Sequence, residues 1–268
     1  MNLKVYFRDF NRKRHQRNVL EIMVFILYLT SSLQNVYARA WRLAFLIEYL
    51  KQKWEQIKRQ LKINYKTTNI QKLTQTPGFK VAYRVNIYLS LLTRLGQSFP
   101  INTQKKIWKN PTEKNFGVVF ISVHLPLVKV AIARLIADGQ EIDAGLSASI
   151  TPDMKMSFWG ITQKVPIIQT GALSLVKIKS ILQQKGSVVM MADTGPLSDI
   201  YPNIFHLAAK TNADVFFLLA YLNDRGVVEI FLEEPPHKKN SSEEQIKENM
   251  NALKVARDSI LVKYSRLM

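Results

Sequence analysis

Cysteine is absent from the 268 residues. That excludes a disulfide scaffold, a thiolate nucleophile and any cysteine-ligated zinc or iron–sulfur site. Histidine is scarce: His15, His124, His206 and His237 are scattered along the chain, a spacing that does not suggest a His-rich metal site. Glycine and proline are missing from the first 76 residues, so nothing there punctuates a helix. Acid is short in the same part. Residues 1–110 hold 21 Lys+Arg against Asp9, Glu21, Glu48 and Glu55, a net of +17. Residues 111–268 hold 17 basic and 16 acidic residues and are nearly neutral. No P-loop, GxGxxG or GxSxG motif is present, which removes the usual signatures of nucleotide cradles and of the serine-hydrolase elbow. With 47% hydrophobic residues, wholesale disorder is excluded as well.

What is present divides at Pro77-Gly78, the first hard break. The expected organisation is a basic helical N-terminal membrane-interface region over 1–76, then an α/β domain over 77–268. Concentrated positive charge calls for an anionic partner: nucleic acid, an anionic membrane surface or an acidic protein. The front carries a cluster of Arg8, Arg12, Lys13, Arg14 and Arg17, followed by an apolar run over 19–29. That run contains Glu21 and is short of the ~20 residues a membrane span needs. Tyr37, Trp41, Phe45, Tyr49 and Trp54 follow, interleaved with Arg and Lys. Spacings of four without Gly or Pro predict helix, and aromatics beside basic residues suit a lipid headgroup layer. Nucleic acid accounts for the charge but leaves the apolar run without a role. The plainer reading is a solvated basic helix packed by its aromatic edge.

The rear alternates in period. Residues 81–92 read as a helix. Residues 117–123 form a continuous β-branched run of strand length, ending at His124. A helix is expected over 126–138, stopped by Gly139, then extended pieces at 142–146 and 164–169. A further helix closes at Gly186. Strand 187–192 ends at Asp193; helix 203–210, strand 214–221, a turn at 223–226, a hairpin strand 227–232 and a closing helix 243–264 complete the chain. Alternation of this kind implies a mostly parallel sheet covered by helices. Ligands of such folds gather where the strands end.

His124 and Asp193 sit at such ends. A neutral imidazole there can take a proton from a hydroxyl; equally, a lone histidine can simply cap or pack the junction. Asp193, opening Asp-Thr-Gly-Pro, can orient the histidine, bind, or serve as an ordinary turn residue. His206 reads as packed or superficial and His237 as a loop residue.

The order of these motifs resembles the lysophospholipid acyltransferase superfamily, closest to the bacterial lipid A biosynthesis (lauroyl/myristoyl) acyltransferases. The resemblance covers about residues 80–260 and is carried by 117–124 and 174–235, including Leu-Gln-Gln-Lys-Gly at 182–186 and Phe-His-Leu-Ala-Ala-Lys-Thr-Asn-Ala-Asp-Val at 205–215. It implies transfer of a fatty acyl chain from acyl carrier protein or acyl-CoA to a lipid or lipid-like acceptor. It places this at the cytoplasmic face of a bacterial inner membrane, with His124 as base and no metal or further cofactor. The family pairs its histidine with Asp or Glu five positions on; here that position is Lys129. Where the family commonly presents an Arg near the extended piece, this chain has Gln169-Thr170. Two outcomes fit these departures. His124 works alone or with a carboxylate from elsewhere, Asp193 being the candidate. Otherwise the chain is a catalytically degenerate homologue that binds acyl carrier protein or lipid and supports a partner subunit. Nucleic acid is not expected as a partner.

Overall fold

The computed structural model describes residues 35–60, 76–94, 101–109, 116–147, 156–157, 164–171, 173–239 and 241–266. The basic cluster with His15 and the apolar run at 19–29 lie outside the described residues. In chain order the elements are α1 (Val36–Gln60), α2 (Pro77–Arg94), β1 (Thr103–Trp108), β2 (Val118–Ser122), α3 (Val128–Ala137), β3 (Ala144–Ser147), β4 (Met156–Ser157), β5 (Lys164–Val165), β6 (Ile167–Gln169), α4 (Ser174–Gln183), β7 (Ser187–Met191), α5 (Asn203–Thr211), β8 (Asp214–Leu222), β9 (Val228–Glu233) and α6 (Glu243–Ser265).

The continuous apolar runs behave as their composition dictates. Every residue of β2 and β8 is buried, which is how strands covered on both faces read. They lie side by side in a seven-stranded sheet of order β1-β9-β8-β2-β7-β3-β6. β2, β3, β6, β7 and β8 run parallel, and β9 turns back antiparallel on β8. The architecture is therefore α/β with a mostly parallel sheet. β9 alternates buried and half-buried residues, the mark of a less enclosed strand.

Two features depart from the pattern expected of the sequence. No strand is expected before Gly117, yet β1 adds to the sheet edge, parallel to β9. Its Thr-Gln-Lys-Lys-Ile-Trp sequence lacks an inward-facing apolar alternation, and its four central residues are exposed. Lysines on a terminal strand discourage further strand addition. The single extended piece at 164–169 is in fact two. Pro166, which has no N–H, separates β5, paired with β4 in a two-stranded ribbon, from β6 in the main sheet. The Pro166 carbonyl instead accepts the Gly145 N–H at 2.8 Å.

α1 shares the core of the sheet domain. Val36, Tyr37, Ala40 and Ala44 are buried, and the Tyr37 hydroxyl donates to the Gly226 carbonyl at 2.7 Å. Burial raises the Tyr37 pKa well above the ordinary tyrosine value. Trp41 lies over Gly226, in the β8–β9 turn. There φ is +74°, and a Cβ would come within 2.6 Å of the indole; a residue without a side chain meets both demands. Asn223 closes that turn, accepting the Arg225 and Val227 N–H groups at 3.0 and 2.9 Å. Glu48 is buried on the inner side of α1 and paired with Arg84 of α2 at 2.5 Å. α6 starts on a Ser242 cap that accepts the Gln245 N–H, with Glu243 and Glu244 in its first turn. Near its other end, the buried Tyr264 hydroxyl accepts the Leu222 N–H at 3.1 Å, fastening α6 to the end of β8.

Candidate active site

β2 and β7 are parallel neighbours in the register Val118↔Ser187 through Ser122↔Met191. The ladder continues one step past them, with the Ala192 N–H donating to the Ser122 carbonyl at 2.8 Å. Carrying that register two residues beyond Ser122 brings His124 opposite Asp193. The structure brings these two residues together. The ring Nδ1 of His124 is 2.7 Å from Asp193 Oδ1, and the His124 main-chain N–H donates to both carboxylate oxygens at 2.9 and 3.1 Å.

The pair is asymmetric. The Asp193 side chain is fully buried, whereas that of His124 is 46% exposed. An ionised carboxylate can only accept, so Nδ1 carries the proton and Nε2 turns its lone pair outward. The hydrogen bond to Asp193 pushes the His124 pKa above the ordinary histidine value; partial burial opposes this, and the carboxylate charge adds to it. The imidazole is thus held in one tautomer and made more basic, the arrangement of an oriented general base.

The chain on either side supports this geometry. Beyond His124 the Leu125 N–H donates back to the Val123 carbonyl at 2.6 Å, a tight turn that lifts the histidine clear of β2. Leu127 follows as the N-cap of α3 with φ 69° and ψ 7°, an uncommon left-handed backbone for a branched residue. Helix α3 therefore starts at Val128, two residues after the expected bound at 126. Beyond Asp193 the Ser198 hydroxyl oxygen accepts the Thr194 and Gly195 N–H groups at 2.9 and 3.0 Å and its O–H donates to the Gly195 carbonyl at 2.9 Å. Arg257 of α6, itself buried, donates to the Ser198 carbonyl at 2.6 Å. Ser198 and Arg257 escape sequence reasoning. A serine in a turn is common, and nothing local to Arg257 points to a loop so distant in sequence.

Lys129 is exposed on the first turn of α3. The carboxylate beside His124 therefore comes from the neighbouring strand end, not from the helix that follows the histidine. His206 lies 3.5 Å from Glu243, and His237 Nε2 lies 2.5 Å from Glu248. Among the described residues no group of three or more His, Asp or Glu side chains is gathered as a metal site would require.

α1 begins at the same rim of the sheet. β8 is parallel to β2, so the β8–β9 turn on which Tyr37 and Trp41 rest lies at the rim carrying His124. These two aromatics turn inward, contrary to their expected place among the outward anchors. The opposite face of α1 exposes Leu46, Tyr49, Leu50 and Trp54 beside Arg39, Arg42, Lys51 and Lys53. Among the described residues no helix is long and apolar enough to cross a membrane. No protein-family model matches the sequence, and no curated protein matches it.

Proposed function

We propose that the chain is an acyltransferase that moves a fatty acyl group from a thioester donor, acyl carrier protein or acyl-CoA, to a hydroxyl or amine of a lipid or lipid-like acceptor at an anionic membrane surface. The observation that carries this reading is the His124–Asp193 pair at the rim where five parallel strands end. The resemblance to the lysophospholipid acyltransferases supplies the reaction class; the dyad supplies groups able to perform it. Nε2 of His124 accepts the acceptor's proton as its oxygen or nitrogen attacks the thioester carbonyl. Asp193 stabilises the imidazolium so formed. The tetrahedral intermediate collapses with cleavage of the C–S bond, and the departing thiolate takes the proton from Nε2. Asp193 stands in for the carboxylate that the family places where this chain has Lys129. The outward face of α1, apolar and cationic, with Glu48 withdrawn into the core, suits a leaflet of anionic lipid.

A second reading is favoured by Lys129 itself: a degenerate homologue that binds acyl carrier protein or lipid for a partner subunit. One assay separates the two. Full-length protein is incubated with acyl carrier protein bearing a labelled fatty acid and with membrane lipid. Label should appear in lipid, and His124→Ala should abolish it. Undiminished transfer by that variant overturns the role of His124. Absence of transfer by the parent chain, with carrier-protein binding intact, selects the degenerate reading.

A further inference from the structure

α4 follows the C-terminal end of β6 and returns to the start of β7, so its first turn lies at the rim that carries the dyad. Its inner side is made by Ile178 and Leu182, which are buried. Leu173, Leu175 and Val176, however, are 67, 49 and 62% exposed. Single exposed apolar residues are ordinary; a cluster at a functional rim is not. The stretch of chain that leads into and through α4 carries charge of one sign. Between Asp153 and Asp193 the sequence holds no acid but five lysines, at 155, 164, 177, 179 and 185, and Lys177 and Lys179 are exposed. Tyr201, whose N–H donates to the Ala192 carbonyl, is exposed beside the dyad on the same rim.

The sheet order places this cluster relative to α1. From β8, whose turn supports α1, the strands run β2, β7, β3 and β6. At ~4.8 Å per step, about 20 Å separates the end of β8, on which Tyr37 near the start of α1 rests, from the end of β6 that leads into α4. His124 and Asp193 stand between them. We propose that the first turn of α4 is a second lipid-contact point. Leu173, Leu175 and Val176 enter the headgroup–acyl boundary of an anionic bilayer, and Lys177 and Lys179 meet its phosphates. Two apolar, cationic contacts on either side of one site fit a flat, extended acceptor better than a compact protein partner. The inference rests on the reading of this chain as working at a lipid surface, and it adds which rim faces the lipid.

Because the chain has no cysteine, single labelled cysteines report on it cleanly. Val176→Cys and Gln184→Cys, at opposite ends of α4, are each given an environment-sensitive fluorophore. On addition of vesicles of phosphatidylglycerol and phosphatidylethanolamine, the probe at 176 should shift to the blue and that at 184 should not. Leu175→Asp with Val176→Asp should lower partition into the same vesicles by about tenfold or more, with unchanged far-UV circular dichroism. An unmoved probe at 176, or equal shifts at both positions, overturns the proposal. So does retained vesicle binding by the double variant alongside lost binding of an acidic carrier protein, which makes the patch a protein dock. His124→Ala should keep the shift at 176 while losing transfer, so failure of the chemistry and failure of the lipid contact are read separately.

Discussion

The two rims of the sheet use their charged groups in opposite ways. At the rim where β3, β7 and β8 begin, acids close the structure. Asp143 accepts the Ser187 N–H at 2.6 Å, and Asp214 faces Lys238 at 3.4 Å. At the rim where the same strands end, Asp193 accepts from His124 and leaves the far imidazole nitrogen facing solvent. Tyr201 and the first turn of α4 are exposed beside the dyad. The lesson is that one strand serves both ends. β7 takes part at both ends: its first residue donates to Asp143 at one rim, and Asp193, two residues past its last, holds the His124 ring at the other.

The largest effects expected should break that asymmetry. His124→Ala is expected to cost about 100- to 10,000-fold in acyl transfer, the range of a lost general base. An unfolding midpoint near the parent's would show that the loss is chemical, since the histidine is half exposed. Asp193→Asn should lower transfer by a comparable order of magnitude, about 100-fold or more. It should also move the pH–rate profile. The base must be neutral, and Asp193 holds the His124 pKa above the ordinary value. The rise of rate with pH should therefore begin lower in the variant, as a pH series of initial rates would reveal.

The same shift has a stability consequence, read by urea unfolding across pH. A histidine whose folded pKa is raised contributes stability that is fully present below the unfolded value near 6.5 and is lost as pH rises through the folded value. Asp193→Asn should flatten that dependence. At the other rim, Asp143→Ala should cost stability alone, about 1–3 kcal/mol for the unpaired Ser187 N–H, with the transfer profile unchanged in shape. A shifted profile would show that the two rims are coupled. Smallest of all, Lys129→Glu should leave the transfer rate near the parent's, because Asp193 already occupies Nδ1 of His124. A clear gain would mean that Asp193 is an incomplete substitute and would sharpen the contrast in favour of a degenerate site.

Much of the sheet domain was legible because its signal is local. The runs at 118–122, 187–191 and 214–222 are short and apolar and carry β-branched or aromatic residues, which marks buried strands, and the helices between them keep a 3.6-residue period. β1 was not legible. An edge strand is held by backbone hydrogen bonds and carries lysines outward, so Thr103–Trp108 has no period to read. The inward turn of Tyr37 and Trp41 was hidden for a related reason. Aromatics four apart mark one face of a helix, but only the Gly226 turn beneath them makes that face the inner one.

The sequence by itself determined the alternation of strand and helix, a histidine and an aspartate at two strand ends, and the segregation of positive charge toward the front. Tertiary structure alone decided that those two ends are neighbours. Nothing near residue 124 specifies that β7, and not β3 or β6, lies beside β2; strand order and register are settled by which apolar faces bury together over the whole sheet. That choice gives His124 its carboxylate from a strand end on the far side of β3 and β6 in sequence, while Lys129 lies on the exposed side of α3.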